Sequence, residues 1–254
     1  MMRFRFKNPC LTPALLIVCF LSGMPVHAAT LRKARDVFDD YDRNIASIQE
    51  AIHIYTQVIK ENNRPQIQSR AYAGISMAYL TMGDFAGLTH TNALKDYEAG
   101  RDAAWKAIKL DPRSSDACFW YAGNIGRIAQ RKIFIKAVLI LPEFLLYLDR
   151  AYRYNPKSLF VLEAYAELYY QLPGAFGGSN HKSITYIDKA MRIDPRYTMP
   201  LTTLAKIFIS EGKYDRARKI LKEVLNFSSP SYRAGWVMYD KPLARKLLES
   251  IKNK

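Results

Sequence analysis

The sequence predicts an all-α protein, a superhelical stack of antiparallel helix pairs. Three observations carry that prediction. Almost every segment after Leu31 places apolar residues at the helical period, and no run alternates as a strand would. One helix ending recurs three times: Ala107-Ile108-Lys109-Leu110-Asp111-Pro112, Ala151-Tyr152-Arg153-Tyr154-Asn155-Pro156 and Ala190-Met191-Arg192-Ile193-Asp194-Pro195. A basic residue in the last turn and then an Asx-Pro pair is how a helix stops and the chain reverses. The stops lie more than about thirty residues apart, the spacing of stacked helical hairpins.

The N-terminus comes first. Arg3, Arg5 and Lys7 precede a short apolar core that includes Ala14 to Leu21, and Val26-His27-Ala28 supplies small residues for cleavage. The apolar core is shorter than the ~20 residues a membrane-spanning helix needs. Residues 1–28 are therefore expected to be a cleavable signal peptide, which sends the remainder, 29–254, to the periplasm as one domain. Retention as an anchor is the alternative. Lipidation at Cys19 is not expected, because Val18 stands where a small residue is needed. Cys10 and Cys19 leave with the leader, so Cys118 alone remains and neither an internal disulfide nor a multi-cysteine metal site is expected. The net charge of +15 falls by three with the leader's basic residues; the remaining excess attracts anionic partners and membrane headgroups at low salt, but a solvated outer surface is its expected role. Export argues against nucleic acid.

The elements follow in order. A leading helix is expected from Leu31 to about Asp42. Ile45, Ile48, Ala51, Ile52, Tyr55, Val58 and Ile59 mark the apolar face of the next, which ends at Asn62-Asn63-Arg64-Pro65. Ala71 to Met82 is a small-residue helix in which Gly74 and Ala78 admit a close neighbour. Asn92 to Leu110 follows, with Tyr97, Gly100, Ala104 and Ala107 on one side. After Pro195, Leu201, Leu204, Ala205 and Phe208 form one stripe; Gly212 breaks the pattern, and Ala217, Leu221 and Val224 form the facing stripe. Asp240 is expected to cap a closing helix with Pro242 in its first turn and Leu243, Leu247, Leu248 and Ile251 along one edge. A solenoid needs such an end piece.

Two insertions lengthen the repeats by about ten and about five residues over a unit of about 34. The first is apolar and surrounds Phe134, Val138 and Leu139; the second is the loop Leu172-Pro173-Gly174-Ala175-Phe176-Gly177-Gly178. Both are expected between the two helices of a hairpin. The apolar run must be covered by the core, by a second copy, by an apolar ligand or by a membrane surface. The glycine loop is expected to fold back, partly buried at Leu172, Pro173 and Phe176. Gly174, Gly177 and Gly178 leave two readings open, a structural turn and an anion held on backbone amides.

No catalytic motif, metal set or cofactor signature stands out, and no enzymatic function is expected. His53, His90 and His181 are scattered. Glu163 and Glu167, four apart on one helix face, are the one candidate acid–base pair, and His181 would have to join them. The first helix of each hairpin supplies the expected partner-binding surface: Asp116, Phe119 and Gly123, then Phe160, Glu163, Glu167 and Tyr170, then Met199, Thr202, Lys206 and Ile209.

The stripe Leu201, Leu204, Ala205, Phe208, Gly212, Tyr214, Ala217, Leu221 and the three Asx-Pro stops resemble the tetratricopeptide (TPR) repeat. With the Leu-Pro-Gly-x-x-Gly-Gly loop and the apolar insertion, the chain is similar to the TatT family, the periplasmic T components associated with TRAP transporters. That resemblance implies a TPR-like fold and a partner, the extracytoplasmic solute-binding protein of a TRAP-type transporter, with an apolar ligand passage beside the insertions. A generic envelope scaffold and a binding module for a small apolar ligand or lipid are the alternatives.

Overall fold

The computed structural model describes residues 26–132 and 134–254, with side chains from 28 to 132 and from 139 onward. The expected signal peptide falls almost wholly outside the described residues. The elements are helices α1 (Val26–Asp39), α2 (Ser47–Glu61), α3 (Pro65–Asp84), α4 (Ala86–Thr89), α5 (Ala93–Leu110), α6 (Ser115–Gln130) and α7 (Phe134–Tyr154). Next come α8 (Leu159–Gln171), a 3-10 turn (Gly174–Phe176), α9 (Asn180–Ile193), α10 (Met199–Ser210), α11 (Tyr214–Asn226) and α12 (Arg233–Gly235). A π-helical turn, Trp236–Asp240, joins α12 to α13 (Lys241–Ser250). No strand occurs among the described residues. The fold is an all-α stack of hairpins, α1/α2, α3/α5, α6/α7, α8/α9 and α10/α11, closed by α12–α13.

The recurrent stops work as the sequence implies. The side chains of Asp111, Asn155 and Asp194 each accept the backbone N–H two residues on, from Arg113 at 3.1 Å, Lys157 at 3.2 Å and Arg196 at 2.9 Å. These Asx turns span the proline and aim the chain into the next helix. The motif alanines Ala107, Ala151 and Ala190 are fully buried. Two of their carbonyls also accept a hydroxyl from the facing helix: Ser69 Oγ reaches Ala107 O at 2.9 Å and Ser115 Oγ reaches Ala151 O at 2.8 Å. Gly74 lets α2 and α3 touch, since a Cβ there would land in the Tyr55 ring. Cys118 is buried, and burial pushes its thiol up to about 11, the state of an unreactive core residue.

Four details depart from expectation. The leading helix starts at Val26 and runs across the expected cleavage point. The apolar insertion does not interrupt the chain between two helices but extends α7 at its N-terminal end, with Pro142 inside that helix. A long apolar run propagates a helix already begun more readily than it forms a loop. Asp240 caps nothing: its backbone is helical and its carboxyl turns inward. Pro173 and Phe176 are exposed, and only Leu172 of the trio is half-buried, because backbone bonds from Gly178 N to Pro173 O and from Ser179 N to Tyr169 O close the loop on itself.

Candidate functional site

Helices α3, α6, α8 and α10 present their free faces to one side of the stack, and the segment from Tyr232 through α13 lies across that side. Between them is a cavity of about 410 Å³. Its wall is mainly apolar and aromatic, formed by Leu80, Phe119, Trp120, Phe144, Leu148, Phe160, Tyr197, Tyr232, Tyr239 and Leu243 among others. Phe160 is the hub of the rings. Its centroid lies 5.5 Å from that of Trp120, 6.0 Å from that of Tyr197 and 5.5 Å from that of Tyr232, the last two edge to face.

Charged groups in this wall sort into pairs with two left over. Asp84 is bound by both arms of Arg127, at 2.8 and 2.9 Å, and accepts from Tyr97 and Tyr239 as well. Glu167 accepts Lys206 Nζ at 2.7 and 2.9 Å. Burial works against the Glu167 charge, but Lys206 and the bonds from Thr203 and Gln171 prevail and hold this carboxyl below its ordinary range. Glu163 and Asp240 have no such partner. Burial, and then the charge on Glu167, pushes Glu163 up to about 8. Burial pushes Asp240 up to about 7, although Thr198 Oγ1 donates to it at 2.6 Å. Thr203 Oγ1 lies 3.1 Å from Glu163 Oε1 and 2.8 Å from Glu167 Oε2. It has one proton to give, and the shorter contact takes it. Glu163 Oε2 is sealed from solvent with no hydrogen-bond partner.

Of the surface expected from sequence, Phe119, Gly123, Phe160, Glu163, Glu167, Met199, Thr202 and Lys206 come together in this one wall. Three do not. Asp116 is exposed elsewhere, Tyr170 packs beside Lys206 with Nζ 5.7 Å from its ring centre, and Ile209 packs into the α10/α11 core. His181 is exposed and does not line the cavity, so no acid–base triad forms with the two glutamates. No group of His, Cys, Asp and Glu among the described residues could hold a metal ion. The glycine loop lies outside the cavity: Gly174 is exposed, Gly177 takes a left-handed φ of 89°, and a Cβ on Gly178 would strike the Leu172 carbonyl. The geometry of a turn accounts for Gly177 and Gly178, while Gly174 sits in open space. In the apolar insertion, the side chains of Phe134 and Val138 lie outside the described residues, and Leu139 is 74% exposed. Leu145 and Leu146 are exposed on the same helix. No helix among the described residues is long and apolar enough to cross a membrane.

Sequence reading missed Tyr197, Tyr232 and Asp240. One signal was there. Ser114 and Ser158 follow two of the stops at the position where Tyr197 follows the third. A buried aromatic where the other repeats place a small capping residue marks a specialised wall.

No family model and no curated protein matches the chain. Among solved structures it is similar to TTC0263, titled a thermophilic TPR protein in Thermus thermophilus. The TM-score is 0.62 at 14% identity, covering 89% of this chain and 99% of that one. MamA follows at a TM-score of 0.43 and 16% identity over 85% of this chain and 97% of that one. Acl4, titled an assembly chaperone of RpL4, follows at 0.41 and 16% over 89% of each. At 14% identity the likeness to TTC0263 is one of fold: the chain has a TPR-like helical-repeat architecture.

Proposed function

We propose that this protein is an interaction module of the periplasm, exported by its N-terminal leader, whose concave side engages a protein partner and encloses a ligand. The observation that carries the reading is the convergence of aromatic and charged side chains from four first-position helices on one cavity. Stacked hairpins bring such residues together at little cost in order, because the scaffold already fixes them. The resemblance to the TatT family makes the partner the solute-binding protein of a TRAP-type transporter, and the cavity the place where a solute would rest beside that partner. No catalytic role is proposed: Glu167 is engaged with Lys206 and Thr203, and no histidine stands with the two glutamates.

The test is retention of purified solute-binding proteins of TRAP-type transporters, from the same source, on the immobilised full chain. One of them should be retained, and Phe160→Ala, which removes the ring at the centre of the wall, should weaken retention. Failure of every such protein to bind a folded chain would remove the transport reading. The apolar wall favours a second reading, a carrier of a small ligand with no protein partner. Native mass spectrometry would then show a co-purified mass.

A further inference from the structure

The charge balance of the cavity selects among ligands. Its described lining holds four carboxyl groups, Asp84, Glu163, Glu167 and Asp240, against two basic ones, Arg127 and Lys206. Each basic group is already bound bidentately to its own carboxylate. Arg35, whose guanidinium lies 6.0 Å from the Phe160 ring centre, is likewise held by both oxygens of Asp39. Two carboxyls are left in an apolar, ring-lined space, within a chain whose net charge is +15. One of them keeps an oxygen with no partner. Buried polar atoms without partners are costly, and native proteins keep few. Where one persists in a cavity wall, a ligand atom is the natural complement.

We infer that the cavity binds a small organic cation, an ammonium group on an apolar or aromatic body, with Glu163 and Asp240 as its counter-charges and the Phe160, Tyr197 and Tyr232 rings around it. Aromatic faces attract ammonium groups, and that attraction grows when water is excluded. The volume of about 410 Å³ suits a small ligand. An anion would gain only while both carboxyls stay protonated, and is disfavoured as they ionise with rising pH. Burial favours the protonated form of both carboxyls, raising Glu163 to about 8 and Asp240 to about 7. An arriving ammonium ion would displace one of those protons to solvent and leave an ammonium–carboxylate pair, so binding tightens as pH rises from 6 to 8.5. Glu163 is faced by Glu167 on α8, Tyr197 before α10, Lys206 and Thr203 on α10 and Asp240 at the head of α13, and Asp240 by Thr198, Tyr197, Lys206 and Tyr232.

This inference rests on the cavity being ligand space, but its test needs no partner protein. The full chain is titrated calorimetrically with phenethylamine, with 2-phenylethanol and with 3-phenylpropanoate, three probes of similar shape and different charge. The amine should bind most tightly and the carboxylate least, with proton release visible as a dependence of heat on buffer. Glu163→Gln should weaken the amine by about tenfold or more and so narrow its advantage over the alcohol. Asp240→Asn gives a second reading should the first variant fold poorly. The inference is overturned if the amine does not bind, if the alcohol or the carboxylate binds the native chain as well, or if a folded variant keeps full affinity. Amine binding without partner retention would sink only the transport reading, and the reverse result only this one.

Discussion

Burial, and then the charge on Glu167, raises Glu163 to about 8, against the smaller pull of Thr203 and Lys206, and so favours its neutral form near neutrality. The consequence for stability follows from linkage. A carboxyl whose folded pKa is raised binds more protons folded than unfolded, so its contribution is complete at low pH and is lost as pH rises through the folded value. For Glu163 and Asp240 that loss ends near about 8 and about 7. Glu167, Asp194 and Glu211 are held below their ordinary range and act only at more acidic pH. The melting temperature, followed by circular dichroism, should therefore fall between pH 5 and pH 8.5. Glu163→Gln should flatten that slope and melt above the native chain at pH 8.5. A native profile that does not fall across this window would mean that folding does not raise these carboxyls. Gly74 gives a second test at this scale. Gly74→Ala improves helix propensity by about 1 kcal/mol. It also drives a methyl into the nearly buried Tyr55 ring, an overpacking of about 1–3 kcal/mol. The net should be a loss of about 1 kcal/mol in urea unfolding, and a gain would show that Tyr55 can swing aside.

The Asx-Pro stop acts at the scale of the element. It ends a helix, turns the chain and, through the buried motif alanine, seats that helix against its hairpin partner. Asp111→Ala removes the acceptor for Arg113 N, so it should cost about 1 kcal/mol while leaving helix content intact. Loss of far-ultraviolet ellipticity beyond a few per cent would show that the stop also nucleates the following helix. This punctuation is why the hairpins were legible. Each stop is a short pattern whose meaning is set by residues within six positions, and the stripes between stops need only the helical period. The cavity was legible by halves. Phe119, Phe160, Glu163, Glu167, Thr202 and Lys206 could be placed on one face, because first-position helices repeat their orientation. That Glu163 would be sealed and unpaired could not be read, because it depends on Asp240 and Tyr232, which lie outside the repeat register. Asp240 shows the reason. Its spacing from Pro242 fits a helix cap, but the helix begins a turn earlier through a π-helical segment, and Thr198, remote in sequence, takes the carboxyl. The apolar insertion failed similarly: hydropathy marks the run, while continuity with α7 decides its conformation.

At the scale of the whole molecule, the C-terminal segment makes a cavity out of a groove. It ties the far end of the chain to the beginning: Tyr232 Oη lies 3.1 Å from Tyr41 Oη, Arg233 pairs with Asp42 at 2.7 Å, and the Tyr239 ring packs 4.8 Å from Phe85. Its other end seals the last hairpin, with Trp236 Nε1 donating to Val224 O at 2.6 Å and Ala244 and Ile251 buried against Leu221 and Val224. Removing residues 231–254 would uncover both surfaces at once. At roughly 1.5–3 kcal/mol for a fully buried large apolar side chain and about half that for a partly buried one, the loss of Ile251, Trp236, Leu247 and Leu248 together comes to about 5 kcal/mol. In a chain of this size that lowers the melting temperature by about 10 °C or more. Because α1 through α11 keep their own hairpin contacts, the truncated chain should stay helical while binding the dye anilinonaphthalene sulfonate through the bared wall. Tyr232→Phe isolates the closure from the seal: it removes one hydroxyl pair, leaves the ring on Phe160, and should shift the melt by only about 1–3 °C without dye binding. If the truncated chain instead melts as the full chain does and excludes the dye, the segment is a dispensable appendage, and the groove beneath it is closed by the hairpins alone.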